Sequence, residues 1–190
     1  MILLIDNYDS FSYNLFQLIG GITPDIRVIR NDELTVEEIF ALSPSHIILS
    51  PGPGRPCDAG VCEDVIRADA QREQPVPLLG VCLGHQAICE SFGARITYAK
   101  QLMHGKKSLI TAQGALFGGI DGAFYVARYH SLAAEDEGFP EELRVTARTD
   151  DGEIMAVEHK AFPIYGVQFH PESILTQHGR TMAENFLSMR

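Results

Sequence analysis

The chain is short of several things, and each shortage narrows the reading. It has no CxxC spacing: its cysteines are Cys57, Cys62, Cys82 and Cys89, and 190 residues with 45% apolar content can build a core without covalent staples. Structural zinc and a disulfide framework are therefore the poorer readings, and reduced thiols are expected. No apolar run approaches the ~18 residues of a membrane span, and the opening MILLID lacks both the basic stretch and the apolar length of a targeting segment. A cytoplasmic location away from membranes is expected. Basic charge is also scarce, 15 Lys and Arg against 25 Asp and Glu for a net charge of −10. With no basic patch to offset it, that balance argues against nucleic acid and anionic lipid as partners. Repeats, low-complexity stretches and linkers are missing too, so residues 1–190 read as one domain.

What is present is alternation. Apolar runs at 2–5, 26–29, 46–50 and 78–81 read as strands, each followed by a helical pattern. Ser10 is expected to cap a helix carrying Phe11, Leu15, Leu18 and Ile19. Thr35 with Glu38 fits a capping box. A further helix is expected over 63–72, and one after Cys82 ending near Gly93. Beyond Gly93 the pattern turns to strands at 95–98, 107–111, 124–129, 143–148, 153–158 and 164–169, with TDDG as a hairpin turn, and a closing helix over 180–188 with Met182, Phe186 and Leu187 inward. The expected architecture is α/β: an open, mostly parallel twisted sheet with helices on both faces, flavodoxin-like, plus an antiparallel strand-rich extension in the second half.

In such a sheet ligands bind beyond the carboxyl ends of the strands. Cys82 falls at one of these ends, in GVCLG, the cysteine counterpart of the GxSxG elbow, where small neighbours let strand and helix pack around a sharp turn. A helix N-terminus or a nearby imidazolium favours the thiolate. The competing reading is a small buried cysteine, and the flanking Gly80 and Gly84 weigh against it. In GVQFHPES, His170 and Glu172 stand two apart at a strand end, where period-two geometry sends both to one side. A carboxylate beside an imidazole fixes its tautomer and stabilises the imidazolium. Alone, this pair reads better as a solvated strand end. The loop SPGPGRP offers free backbone N–H groups, Gly54 among them, for an oxyanion, although PG pairs are usually ordinary turns.

Taken together, LLIDNYDSFSYNL, SPGPGRP, GVCLGHQ, MHGK, RYHSL and GVQFHPES resemble the class I, triad-type glutamine amidotransferases over essentially the whole chain. DNYDSFSYN and MHGK are similar to the glutaminase subunits of anthranilate synthase and aminodeoxychorismate synthase. The resemblance implies Cys82 as nucleophile, His170 as general base and then acid, and Glu172 as orienting carboxylate. It also implies an oxyanion hole from the N–H groups of Leu83 and Gly54, and glutamine held by Gly52, Pro53, Gly54, Gln86, Ser131 and Leu132. No metal or other cofactor is implied. The implied partners are L-glutamine and a chorismate-binding synthase subunit (component I) that receives the ammonia, with the tryptophan branch preferred over the folate branch. Cys57 falls outside the pattern, and His85, His104 and His130 read as structural or interfacial. A cysteine hydrolase of α/β-hydrolase type acting on esters and a catalytically silent regulatory module are the alternatives from other classes.

Overall fold

The computed structural model describes residues 1–101 and 103–190. Leu102 lies outside the described residues.

The parallel half follows the expected order: β1 (Ile2–Asp6), α1 (Ser12–Gly20), β2 (Ile26–Arg30), α2 (Val36–Ala41), β3 (His46–Leu49), α3 (Cys62–Asp69), β4 (Leu78–Val81) and α4 (Leu83–Ser91). The second half supplies β5 (Ile96–Tyr98), β6 (Lys106–Ala112), β7 (Phe124–Arg128), β8 (Leu132–Ala134), β9 (Leu143–Thr149), β10 (Ile154–His159), β11 (Ile164–Val167) and α5 (Gly179–Leu187). Among the described residues, nine strands form one sheet in the order β2-β1-β3-β4-β11-β10-β9-β6-β7, while β5 and β8 pair separately. From β2 to β11 all neighbours are parallel; from β11 to β7 all are antiparallel. The strand-rich extension is thus fused edge to edge with the parallel sheet.

All five residues of β1 are buried, as expected of a strand covered on both faces. Its side chains alternate: Ile2 and Leu4 join Leu15, Ile19, Met182 and Phe186 beneath α1 and α5, whereas Leu3 and Ile5 join Ile39, Val65, Ile66 and Ile88 beneath α2, α3 and α4. Each fully buried Leu, Ile or Phe contributes roughly 1.5–3 kcal/mol, so both faces hold the sheet flat against its helices.

The capping box at Thr35 and Glu38 forms, with Thr35 Oγ1 accepting from the Glu38 N–H at 3.3 Å and Glu38 Oε2 accepting from the Thr35 N–H at 2.8 Å. Gly152 closes the TDDG hairpin at φ +82°. Three expectations shift. Ser10 does not cap α1: the N-cap is Phe11, and Asp9 Oδ1 takes the Phe11 N–H at 2.6 Å while Ser12 Oγ donates to Asp6 at 2.6 Å. The helix expected over 63–72 stops at Asp69, whose buried carboxylate accepts the Val76 N–H at 3.0 Å and folds the chain back toward β4. Leu187 is only half-buried, unlike Met182 and Phe186.

Candidate active site

The chain leaves β1 for β2 on one side and returns to β3 on the other, so the sheet reverses direction beside β1. At this switch point the carboxyl ends of β1, β3, β4 and β11 converge. Asn7 ties two of the loops together: its N–H donates to Ser50 Oγ and its Nδ2 to the Ser50 carbonyl, both at 2.8 Å. Its own carbonyl oxygen accepts from Asn31 at 2.9 Å and from the Cys62 thiol at 3.2 Å.

Cys82 occupies the turn from β4 into α4 with φ +53° and ψ −100°. For a residue with a Cβ this region costs on the order of 1–3 kcal/mol, which surrounding contacts must hold in place. Those contacts are tight. A Cβ at Gly80 would collide with the Gly84 carbonyl oxygen, and one at Gly84 would lie 2.5 Å from the Leu49 carbonyl oxygen. A Cβ at Gly52 would fall 2.7 Å from Leu83 Cδ2, so the 50–54 loop packs directly on the start of α4. Gly54 follows at φ +82°, exposed like Pro53.

His170 and Glu172 meet, but not as strand neighbours. β11 ends at Val167, short of the expected 169, and the pair lies on the turn that Pro171 begins. There His170 Nδ1 and Glu172 Oε1 are 2.6 Å apart, with side chains 2% and 0% exposed, which removes the solvated-pair alternative. The ring is walled by Phe11 and Tyr129, each with its centroid 5.1 Å away and edge-on. Burial works to lower the His170 pKa; the Cys82 thiol and the Glu172 carboxylate outweigh it and push the value up to about 10. Among the described residues, no nitrogen or oxygen hydrogen-bonds the buried Nε2, and that edge of the ring meets the Cys82 thiol. A thiol facing an imidazole whose other nitrogen is held by a carboxylate is the arrangement of nucleophilic catalysis.

Gln86 is buried on α4; its Nε2 donates to the Leu132 carbonyl at 2.9 Å and to Gln168 Oε1 at 3.1 Å. Gln168 Nε2 in turn reaches Cys82 Sγ at 3.7 Å. Ser131 is exposed, and its carbonyl is taken by the Ala99 N–H at 2.8 Å. Of the other histidines, His85 is fully buried against Gly166, and burial pushes it down to about 4. His104 is exposed, edge-on to Tyr129 at 5.8 Å. His130 is buried beside Arg128. Sequence reasoning missed Asn7, Ser50 and Gln168. All three lie inside quoted motifs, yet nothing in their spacing marks them as buried hydrogen-bonding groups. A cleft of about 500 Å³ between Phe11, Tyr129 and Ile174 opens beside Glu172.

A family model described as glutamine amidotransferase class-I matches residues 3–189. The chain belongs to this family. Within it, "Anthranilate synthase component 2" of Pseudomonas aeruginosa is 51% identical over 98% of this chain and 94% of its own length. "Aminodeoxychorismate synthase component 2" of Escherichia coli is 48% identical over 98% and 99%. "Bifunctional protein TrpGD" of Thermotoga maritima is 50% identical over the whole chain, which spans 32% of that longer protein. A crystal structure of a glutamine amidotransferase from Thermotoga maritima superposes with a TM-score of 0.78 at 14% identity, covering 99% of this chain and 98% of that one, and so shares the fold. Among the described residues, no helix is long and apolar enough to cross a membrane.

Proposed function

We propose that residues 1–190 act as one amidotransferase domain that hydrolyses L-glutamine to L-glutamate and ammonia, and that the ammonia passes to a chorismate-binding synthase subunit. The observation that carries this is the strained elbow at Cys82 facing a buried His170 whose Nδ1 is held 2.6 Å from Glu172.

Cys82 Sγ attacks the side-chain amide carbon of glutamine, and the carbonyl electron pair moves to oxygen, which the N–H groups of Leu83 and Gly54 receive. His170 holds the thiol proton and gives it to the amide nitrogen as the C–N bond breaks, releasing ammonia and leaving a glutamyl thioester. Water then attacks the thioester with His170 as base, freeing glutamate and the thiol. Glu172 keeps the imidazole in register and offsets its positive charge throughout. Gly52, Pro53, Gln86, Ser131 and Leu132 line the side from which glutamine enters. Partner binding acts through the segments 6–13, 51–57 and 100–107, so the isolated chain turns over slowly. Anthranilate formation is the preferred product, supported by the 50% and 51% identical relatives; the 48% identical aminodeoxychorismate relative supports the second reading.

The test is Cys82→Ala in the complex reconstituted with a synthase subunit. Glutamine-dependent product formation should vanish while the rate with high ammonium salt persists. Loss of both would mean that this chain takes part in the amination itself.

A further inference from the structure

The hydrogen bonds behind Cys82 form a chain in which every direction is fixed. It begins where the Lys100 N–H donates to Glu153 Oε2 at 3.0 Å. Glu153 pairs with Arg128, and both side chains are nearly fully buried. Arg128 Nε donates to His130 Nε2 at 3.0 Å, and His130 Nδ1 meets the Leu132 carbonyl at 2.8 Å. A guanidinium only donates and a carbonyl only accepts, so His130 is neutral with its proton on Nδ1. Burial and the Arg128 charge agree with this, pushing its pKa down to about 3. The Leu132 carbonyl has one lone pair left, and Gln86 Nε2 fills it. The second hydrogen of that amide then selects Gln168 Oε1, which turns Gln168 Nε2 toward Cys82 Sγ at 3.7 Å. Flipping either amide would set NH2 against NH2 or carbonyl against carbonyl.

We infer that Gln168 is a positioning residue for the Cys82 thiolate: held as an obligate donor by the chain anchored at Arg128 and Glu153, it fixes the sulfur and favours its charged form. This rests on the reading of Cys82 as nucleophile. Gln168 is fully buried, its donor nitrogen has the sulfur as its hydrogen-bond acceptor, and the chain just past β11 leads within two residues to His170. The thiolate is thus addressed from two sides, by imidazole and by amide. Unlike the imidazole, the amide does not titrate, so its contribution persists at any working pH.

The experiment follows iodoacetamide alkylation of Cys82 by mass spectrometry across pH in the full chain, for wild type, Gln168→Met and Gln168→Glu, with melting temperature read alongside. Gln168→Met keeps the volume and removes the donor. Gln168→Glu keeps the acceptor for Gln86 but turns an oxygen to the sulfur, and it carries the test if the Met variant does not fold. Below the alkylation midpoint, Gln168→Met should react about threefold to tenfold more slowly, an upward displacement of about half to one pH unit, the scale of one ordinary net hydrogen bond, as suits a long N–H···S contact. Gln168→Glu should be displaced further. An unmoved pH profile in a folded variant, whatever its melting temperature, overturns the inference and leaves the nucleophile intact. A wild-type Cys82 no more reactive than buried Cys62 and Cys89 overturns both.

Discussion

Glu172→Gln isolates the charge in the His170 pair while preserving its shape. The substitution is nearly isosteric, and the side chain it alters is fully buried, so an amide oxygen can still accept from Nδ1 at about the same place. What disappears is the negative charge 2.6 Å from the ring. With an effective dielectric of ~20, unit charges at that separation attract by about 6 kcal/mol. Roughly half is returned, because the neutral amide still hydrogen-bonds and a buried carboxylate no longer has to be desolvated. The remaining loss of about 3 kcal/mol falls on the imidazolium that holds the thiol proton and delivers it to the departing nitrogen, and corresponds to about a hundredfold fall in glutamine turnover. The His170 pKa, held up in part by Glu172, should fall as well. Steady-state glutamine hydrolysis in the reconstituted complex measures the first effect; histidine-resolved NMR titration measures the second. A turnover within twofold of wild type, with the fold intact, would refute the argument that this carboxylate stabilises charge.

Gly84→Ala places a Cβ 2.5 Å from the Leu49 carbonyl oxygen; overpacking of that kind costs about 3 kcal/mol and should lower the melting temperature by about 6–12 °C, and a change under 2 °C would mean that the elbow yields freely. His85 titrates at about 4 in the fold and at about 6.5 in the unfolded chain. The unfolded state therefore binds more protons as pH falls between these values, and the neutral ring's contribution is complete above about 6.5 and lost toward 4. That loss amounts to about 2.5 kcal/mol by pH 4.5. His85→Leu should flatten this acid limb in denaturant titrations at pH 7 and 4.5; an unchanged slope would assign acid lability elsewhere.

Much of this was legible from the chain because it is written in local patterns. The strand–helix alternation, the Thr35 box, the Gly152 turn and the glycines around Cys82 each express a backbone demand within a few residues. The losses are of another kind. β8 is three residues long and pairs with β5 outside the main sheet, too short for any period to register. Ser10 resembles a cap because serine commonly is one, but the Asp9 and Asp6 carboxylates take the local donors, the Phe11 N–H and the Ser12 hydroxyl. Asn7 with Ser50, and Gln86 with Gln168, are 43 and 82 residues apart; buried polar pairing at that separation leaves no periodic trace, since each member looks like a solvent-facing residue until the fold brings its partner. His170 and Glu172 were rightly paired for an incomplete reason: a proline turn, and not strand alternation, joins them.

The place of β11 in the sheet bears on how the protein comes into being. β11 lies between β4 and β10, paired in register with β4 from Ile164↔Leu78 to Val167↔Val81. The strand leading to the thiol and the strand leading to the imidazole are nearest neighbours in space, yet nearly half the chain separates them in synthesis. A ribosome exposes Cys82 long before it has made His170, and β11 must then close a gap in the middle of a sheet, a non-local and slow step. Until it does, the nascent chain carries a thiol without the imidazole it faces in the fold. Any lesion that keeps β11 out, even one distant from Cys82, therefore holds thiol and imidazole apart without touching either.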